Sequence, residues 1–258
     1  MLKDRVILVT GSHSGIGYST AQLCQEYGAK VVIHGRDSEQ LKISAEKLGP
    51  DVLAITADLE NPNAPGDIIK QVISHHGRID GLVNNAARLD RSTLDTLSVD
   101  VFDQVMTVNV RAPLMLIKAA LPHFEEQKNG GSIVNVGSIN AYCGAQNLLA
   151  YSASKAALMT VTRNLGDSLG SRSIRVNQIN VGWTLTENEH RLQLSEGQPA
   201  NWLENIPKSF APSGSILEPK QIAEHIAFWL SDRSAPITGQ VYEAEQYPVI
   251  GRNPISER

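Results

Sequence analysis

Cysteine is scarce: Cys24 and Cys143 are the two in 258 residues. That is too few for a disulfide framework, and no paired Cys/His spacing suggests a zinc site, so no metal is expected. An excess of positive charge is also missing. Lys and Arg number 23 against 27 Asp and Glu, a net charge of −4, which argues against a nucleic-acid binder that must displace counterions. No apolar run approaches ~20 residues, so no membrane span is expected. Met1-Leu-Lys-Asp-Arg5 runs straight into a strand-like segment, with no stretch resembling a signal peptide. A soluble, cytoplasmic protein is the resulting expectation. Gly 20 and Pro 12 are ordinary usage and exclude collagen-like or low-complexity chains. What remains is a globular composition, 41 % hydrophobic and 19 % charged, long enough to bury a sizeable core.

Short β-rich runs alternate with helical patterns from the start. Arg5–Thr10, Lys30–His34, Val52–Thr56, Gly81–Asn84, Ser132–Val136 and Ile174–Ile179 read as strands. Helical spacing covers residues 15–28, 38–48, 64–76, 99–126 and 150–169, and Asp37 with Gln40 forms a capping-box pattern. Apolar runs without in/out alternation, each followed by a helix, predict a parallel sheet covered on both faces. The reading is a doubly wound α/β fold forming a single domain over 1–258. One irregular stretch, about 182–219 and holding Trp183 and Trp202, has the length of a lid.

Between the first strand and first helix stands Thr10-Gly11-Ser12-His13-Ser14-Gly15-Ile16-Gly17. Glycines there allow a tight turn and a close ligand approach, and the helix N-terminus favours a pyrophosphate. Tyr151 and Lys155, four apart on a predicted helix, share one face. Ser138 lies at a strand's carboxyl end, where doubly wound folds place ligands. A tyrosine is a poor base at neutral pH, but a cation ~4 Å away at a dielectric of ~20 favours phenolate by about 4 kcal/mol. That would bring Tyr151 near working pH as a general acid/base, with Ser138 holding the substrate oxygen.

The spacing G-x-x-x-G-x-G, followed by Asp58, Asn84-Asn85-Ala86, Asn109, Ser138, Tyr151-x-x-x-Lys155 and Arg175-Val-Asn177, resembles the short-chain dehydrogenase/reductase family in its short single-domain branch. The resemblance spans roughly residues 5–240 and implies a Rossmann-like fold and hydride transfer with a nicotinamide cofactor. It implies the same roles for Ser138, Tyr151 and Lys155, and gives Lys155 the nicotinamide ribose as well. It makes Asn109 the holder, through its carbonyl, of a proton-relay water. Pro113, four residues on, supports this from the sequence, because it has no N–H to offer that carbonyl. Cofactor contacts implied are Gly11, Ser12, Ser14, Gly15, Ile16, Gly17, Asp58, Leu59, Asn85, Ala86, Gly182 and Thr184, besides Tyr151 and Lys155. A homo-oligomer, tetramer or dimer, is implied too. The chain departs from the family pattern at Ala87, at Val181 before Gly182, and at Tyr242–Gln246, where Asp-Gly-Gly is usual.

NAD-preferring relatives carry an acid at the end of the second strand, where Gly35 stands here. Arg36 next to it suits a 2′-phosphate, so NADP(H) is expected to be preferred, with NAD(H) possible. Asp37 reads as a helix N-cap. The substrate is expected to be a small polar molecule, a sugar or polyol, contacted by Arg88, Asn140, Gln146, Trp183 and His190. The alternatives are a reductase of hydrophobic or acyl-carrier ketones, a non-catalytic nucleotide sensor, and an epimerase or dehydratase of the longer branch. Cys143 has no evident base beside it, so a packing role is expected.

Overall fold

The computed structural model describes residues 1–127, 129–142 and 144–250; the expectation for Cys143 lies outside them. Seven strands form one sheet: β1 (Val6–Val9), β2 (Lys30–Gly35), β3 (Leu53–Thr56), β4 (Gly81–Asn84), β5 (Gly131–Ser138), β6 (Ile174–Val181) and β7 (Val241–Ala244). Their order is β3-β2-β1-β4-β5-β6-β7, and every neighbouring pair is parallel. Between β1 and β4 the chain's direction of travel across the sheet reverses, which opens a crevice at the strands' carboxyl ends.

Period-two alternation within each strand divides the core. Ile7, Val9, Val31, Ile33, Val134 and Ile179 pack with α1 (Gly15–Glu26) and α8 (Pro219–Leu230). Val6, Leu8, Val32, Ile55, Ile133 and Val176 face α3 (Ala64–His76) and α5 (Ala112–Glu125) on the other side. The remaining helices are α2 (Ser38–Leu48), α4 (Val99–Met106), α6 (Leu149–Gly170) and α7 (Glu187–Ser195). Strands β1–β6 and helices α1–α6 follow the sequence reading; α7 lies inside the stretch expected to be irregular, and α8 and β7 were not read from the sequence.

A π-turn over Thr107–Arg111 joins α4 to α5, with the Ala112 N–H returning to the Thr107 carbonyl. The resulting Val99–Glu125 run is long and apolar enough, by length and composition, to cross a membrane, a point the sequence reading missed. Here Val105, Leu116, Ala120 and Phe124 bury its inner side within the core.

Candidate active site

The glycine turn is shaped as a cradle. Gly11 and Gly15 adopt positive φ, 61° and 56°, a region costly for side chains. A methyl group at Gly17 would collide with the Gly11 carbonyl oxygen and the Asn85 amide. Ser14 ends the turn without a side-chain cap on α1, so none of its side-chain bonds takes up the first helical N–H groups. Those donors and the helix dipole could hold a pyrophosphate. Asn85 holds the turn in place, donating to the carbonyls of Thr10 and Gly11 at 2.9 Å each. The Thr10 hydroxyl accepts from the N–H groups of Asn85 and Ala86 at 3.0 and 3.1 Å.

Two expected cofactor residues point elsewhere. The Ser12 hydroxyl donates to Val9 O (2.7 Å) and its N–H to His34 O (2.9 Å), so the residue faces β2. The Leu59 side chain packs in the core beside α3. Below the turn, His34 accepts the Gly11 N–H at Nδ1 (3.4 Å), and its Nε2 meets the Ala57 carbonyl at 3.1 Å. Burial pushes this imidazole down to about 4, so it is neutral and acts as a fixed strut between the glycine turn and the end of β3. The sequence reading passed over it as one more residue in an apolar strand. At the end of β2, Arg36 is exposed, and Asp37 is occupied capping α2 through Glu39 N and Gln40 N, both 3.0 Å.

At the carboxyl end of β5, Ser138 is buried, accepts the Asn140 N–H (3.2 Å) and shares a hydrogen bond with the Tyr151 hydroxyl. Tyr151 lies in the first turn of α6, whose start is fixed where Ser92 takes the Leu149 N–H at 3.0 Å. Lys155 lies one turn further along, fully buried, with its ammonium donating to the Val136 carbonyl at 2.7 Å and standing 5.6 Å from the Tyr151 ring centre. The expected lowering of the phenol pKa is therefore corrected. Burial pushes Tyr151 up to about 12 and Lys155 down to about 8. The cation is committed to a backbone carbonyl instead of the phenol oxygen. At neutral pH Tyr151 holds its proton.

Asn109 is fully buried at the π-turn. Its amide donates to Arg88 O (3.0 Å) and Ser154 Oγ (2.9 Å), and its carbonyl oxygen Oδ1 accepts the Arg88 N–H at 2.8 Å. The side chain thus ties the loop after β4 to α6. Arg88, expected at the substrate, is instead held by Asp90 in a two-pronged pair at 2.8 Å and by Glu60 at 2.5 Å. A guanidinium claimed by two carboxylates has few donors left. Further along the sheet, an amide chain crosses the core beneath α6: Asn84 to Asn135 (2.8 Å), Asn135 to Thr162 (2.8 Å), Thr162 to Gln178 (3.0 Å) and Gln178 to Asn180 (2.7 Å).

The lid leaves β6 at Gly182, next to Val181, the register partner of Ser138. Thr184 is buried, its hydroxyl on the Gly182 carbonyl (3.1 Å), while Thr186 stands against Gly15 and caps α7 at 3.0 Å. Thr186, unmarked by the sequence reading, is thus the lid threonine nearest the glycine turn. Trp183 and Trp202 stack on one another at 5.5 Å, and His190 accepts the Trp202 indole N–H at 3.1 Å. These rings form a small lid core with Leu203, Ile206, Ala211 and Ile216. Asn140 is half-buried beside Ser138, whereas Gln146 is exposed. Two acids were also missed. Glu245 accepts the Trp183 N–H (3.1 Å), and Glu189 accepts its indole N–H (2.8 Å). Glu245 lies in the segment that replaces Asp-Gly-Gly.

A sequence profile described as Enoyl-(Acyl carrier protein) reductase matches residues 11–245. The chain is 35 % identical over 243 residues to the (2S)-[(R)-hydroxy(phenyl)methyl]succinyl-CoA dehydrogenase subunit BbsD of Thauera aromatica, covering 93 % of this chain and 94 % of that protein. It is 34 % identical over 244 residues to the probable galactose dehydrogenase GalD of Rhizobium meliloti (strain 1021), covering 93 % of each. The L-sorbose reductase of Gluconobacter frateurii, solved with NADPH and L-sorbose, superposes with a TM-score of 0.89 at 27 % identity, covering 95 % of this chain and 96 % of that one.

Proposed function

The chain belongs to the short-chain dehydrogenase/reductase family of NAD(P)-dependent oxidoreductases, and we propose that it interconverts an alcohol and a ketone or aldehyde on a small polar substrate, a sugar or polyol, with NADP(H) preferred. The observation that carries this reading is the hydrogen-bonded Ser138–Tyr151 pair above a buried Lys155 at the strand ends. A bound nicotinamide supplies the hydride chemistry. Gly11, Ser14, Gly15, Ile16 and Gly17 hold its pyrophosphate, with Asn85 and Ala86 bracing the turn. Asp58 and the Leu59 backbone border the adenine, and Gly182 and Thr186 the nicotinamide end. Ser138 orients the substrate oxygen. Tyr151, protonated at neutral pH, delivers its proton to that oxygen in reduction and takes one back in oxidation. Lys155 would bind the ribose and pass the replacement proton from a water on the Asn109 main-chain carbonyl, which Pro113 cannot satisfy.

Arg36, free of the acid that β2 carries in NAD-preferring relatives, pairs with the 2′-phosphate. NADPH is the cofactor in the sorbose reductase complex. The chain works in the cytoplasm, in keeping with a buried unpaired thiol at Cys24. It works as a homo-oligomer, a dimer or tetramer, using the exposed Val99, Phe102 and Met115 of α4 and α5.

The test is a turnover screen with both cofactors, followed by nicotinamide absorbance over sugars, polyols, hydrophobic ketones and acyl thioesters. Turnover of polyols with NADPH, abolished in Tyr151→Phe while cofactor binding persists, supports the reading. Far better turnover of long-chain or thioester substrates overturns the substrate class, and tight cofactor binding with no turnover at all overturns the enzyme.

A further inference from the structure

Glu189 has a place and a bonding pattern that holding the lid does not account for. Trp183 Nε1 and Gln193 Nε2 both donate to the same oxygen, Oε1, at 2.8 Å each. Oε2 is left clear of both donors with its lone pairs and its share of the charge. The residue is fixed from three directions. Thr186 accepts its N–H at 3.0 Å, Trp183 is stacked against Trp202, and Trp183 follows Gly182 directly, two residues past the register partner of Ser138. The half-buried carboxylate is therefore tied, through Trp183, to the end of β6 that pairs with Ser138, and its charge reaches the Tyr151 phenol, raising it.

We propose that Glu189 determines specificity: its Oε2 accepts a hydrogen bond from a hydroxyl on the carbon next to the reacting carbonyl, and its charge turns away anionic substrates. The inference rests on the polar-substrate reading above and sharpens it to neutral hydroxyketones and their alcohols. A carboxylate facing a bare hydrocarbon is left unpaired as the site closes, so a ketone without the hydroxyl is penalised. A substrate carboxylate meets like charge.

Glu189→Gln separates this role from lid support. The glutamine Oε1 can accept from both Trp183 and Gln193, while an amide donor replaces Oε2. Three ketones on one three-carbon frame serve as probes: dihydroxyacetone, acetone and pyruvate, with kcat/KM measured for each. The wild-type enzyme is expected to rank dihydroxyacetone first. In E189Q its kcat/KM falls about 10–100-fold, the loss of one charge-assisted bond, acetone changes by no more than about threefold, and pyruvate improves. The pH profile adds a readout that lid packing would not move. The groups facing Tyr151 are Ser138 on β5, Lys155 on α6 and Glu189 on α7, so removing the negative charge shifts the tyrosine limb to lower pH. Glu189→Asp, which keeps the charge, restores part of the ranking and guards against a misfolded glutamine variant. Dihydroxyacetone ranked first, but with E189Q lowering all three ketones equally or none of them, overturns the role of Glu189 and leaves the polar-substrate reading standing. Acetone or pyruvate ranked first by the wild type overturns both.

Discussion

Replacing Lys155 by methionine should abolish turnover and yet stabilise the fold. Methionine matches the lysine stem in length and carries no charge. The buried ammonium has its pKa pushed down from 10.5 to about 8, a gap worth about 3 kcal/mol of destabilisation at neutral pH. Against this, the variant strips Val136 O of its donor and Tyr151 of a nearby cation, a loss of about 1 kcal/mol. The net gain is about 2 kcal/mol, or roughly 4–8 °C in Tm for a chain of this size. The sign with pH follows from the lysine being lowered in the folded state. The wild-type penalty is complete below about 8 and fades toward 10.5, because the unfolded chain binds the extra proton only in that window. Differential scanning fluorimetry of both proteins across that range is the assay. A variant no more stable than wild type at neutral pH, or an advantage that does not shrink as pH rises through the window, would refute the reasoning.

Arg36→Leu should weaken NADPH binding about 10–100-fold, one charge-assisted contact, and leave NADH unchanged by titration calorimetry; an equal loss for both removes Arg36 from cofactor choice. Gly17→Ala places its methyl against the Gly11 carbonyl oxygen and Asn85 amide, so cofactor Kd should rise at least about tenfold, read by fluorescence titration. Asn109→Ala leaves the Arg88 N–H without its acceptor and Ser154 without its amide donor. A loss of about 2–3 kcal/mol is expected in urea unfolding, and a change under about 0.5 kcal/mol would show the amide to be dispensable.

Strands β1–β6 and helices α1–α6 were legible because burial on both faces forces continuous apolar runs: the helix at 38–48 and the strand at 81–84 fall where periodicity puts them. Helix α7 escaped because it has no apolar stripe. None of its residues is fully buried, and it docks through Glu189 on Trp183 and His190 on Trp202, which carry no periodic signal. Spacing put Tyr151 and Lys155 on one face but said nothing of what the ammonium would bond to, so the direction of the tyrosine shift came out reversed. Arg88 looked available because Asp90 is a local partner only when the chain turns, and Glu60, 28 residues away, is one only after folding.

The reversal of chain direction between β1 and β4 has a consequence for how changes to this protein combine. Arg36 follows β2 on one side of that reversal and Ser138 ends β5 on the other, three strand steps apart in the order β2-β1-β4-β5. At ~4.8 Å per step that is about 14 Å, beyond the ~7–10 Å within which substitutions usually couple. Cofactor choice and substrate choice are therefore separable coordinates. A change of nucleotide preference made at Arg36 should add, in free energy, to a change of substrate made at Glu189, and either can be altered without undoing the other.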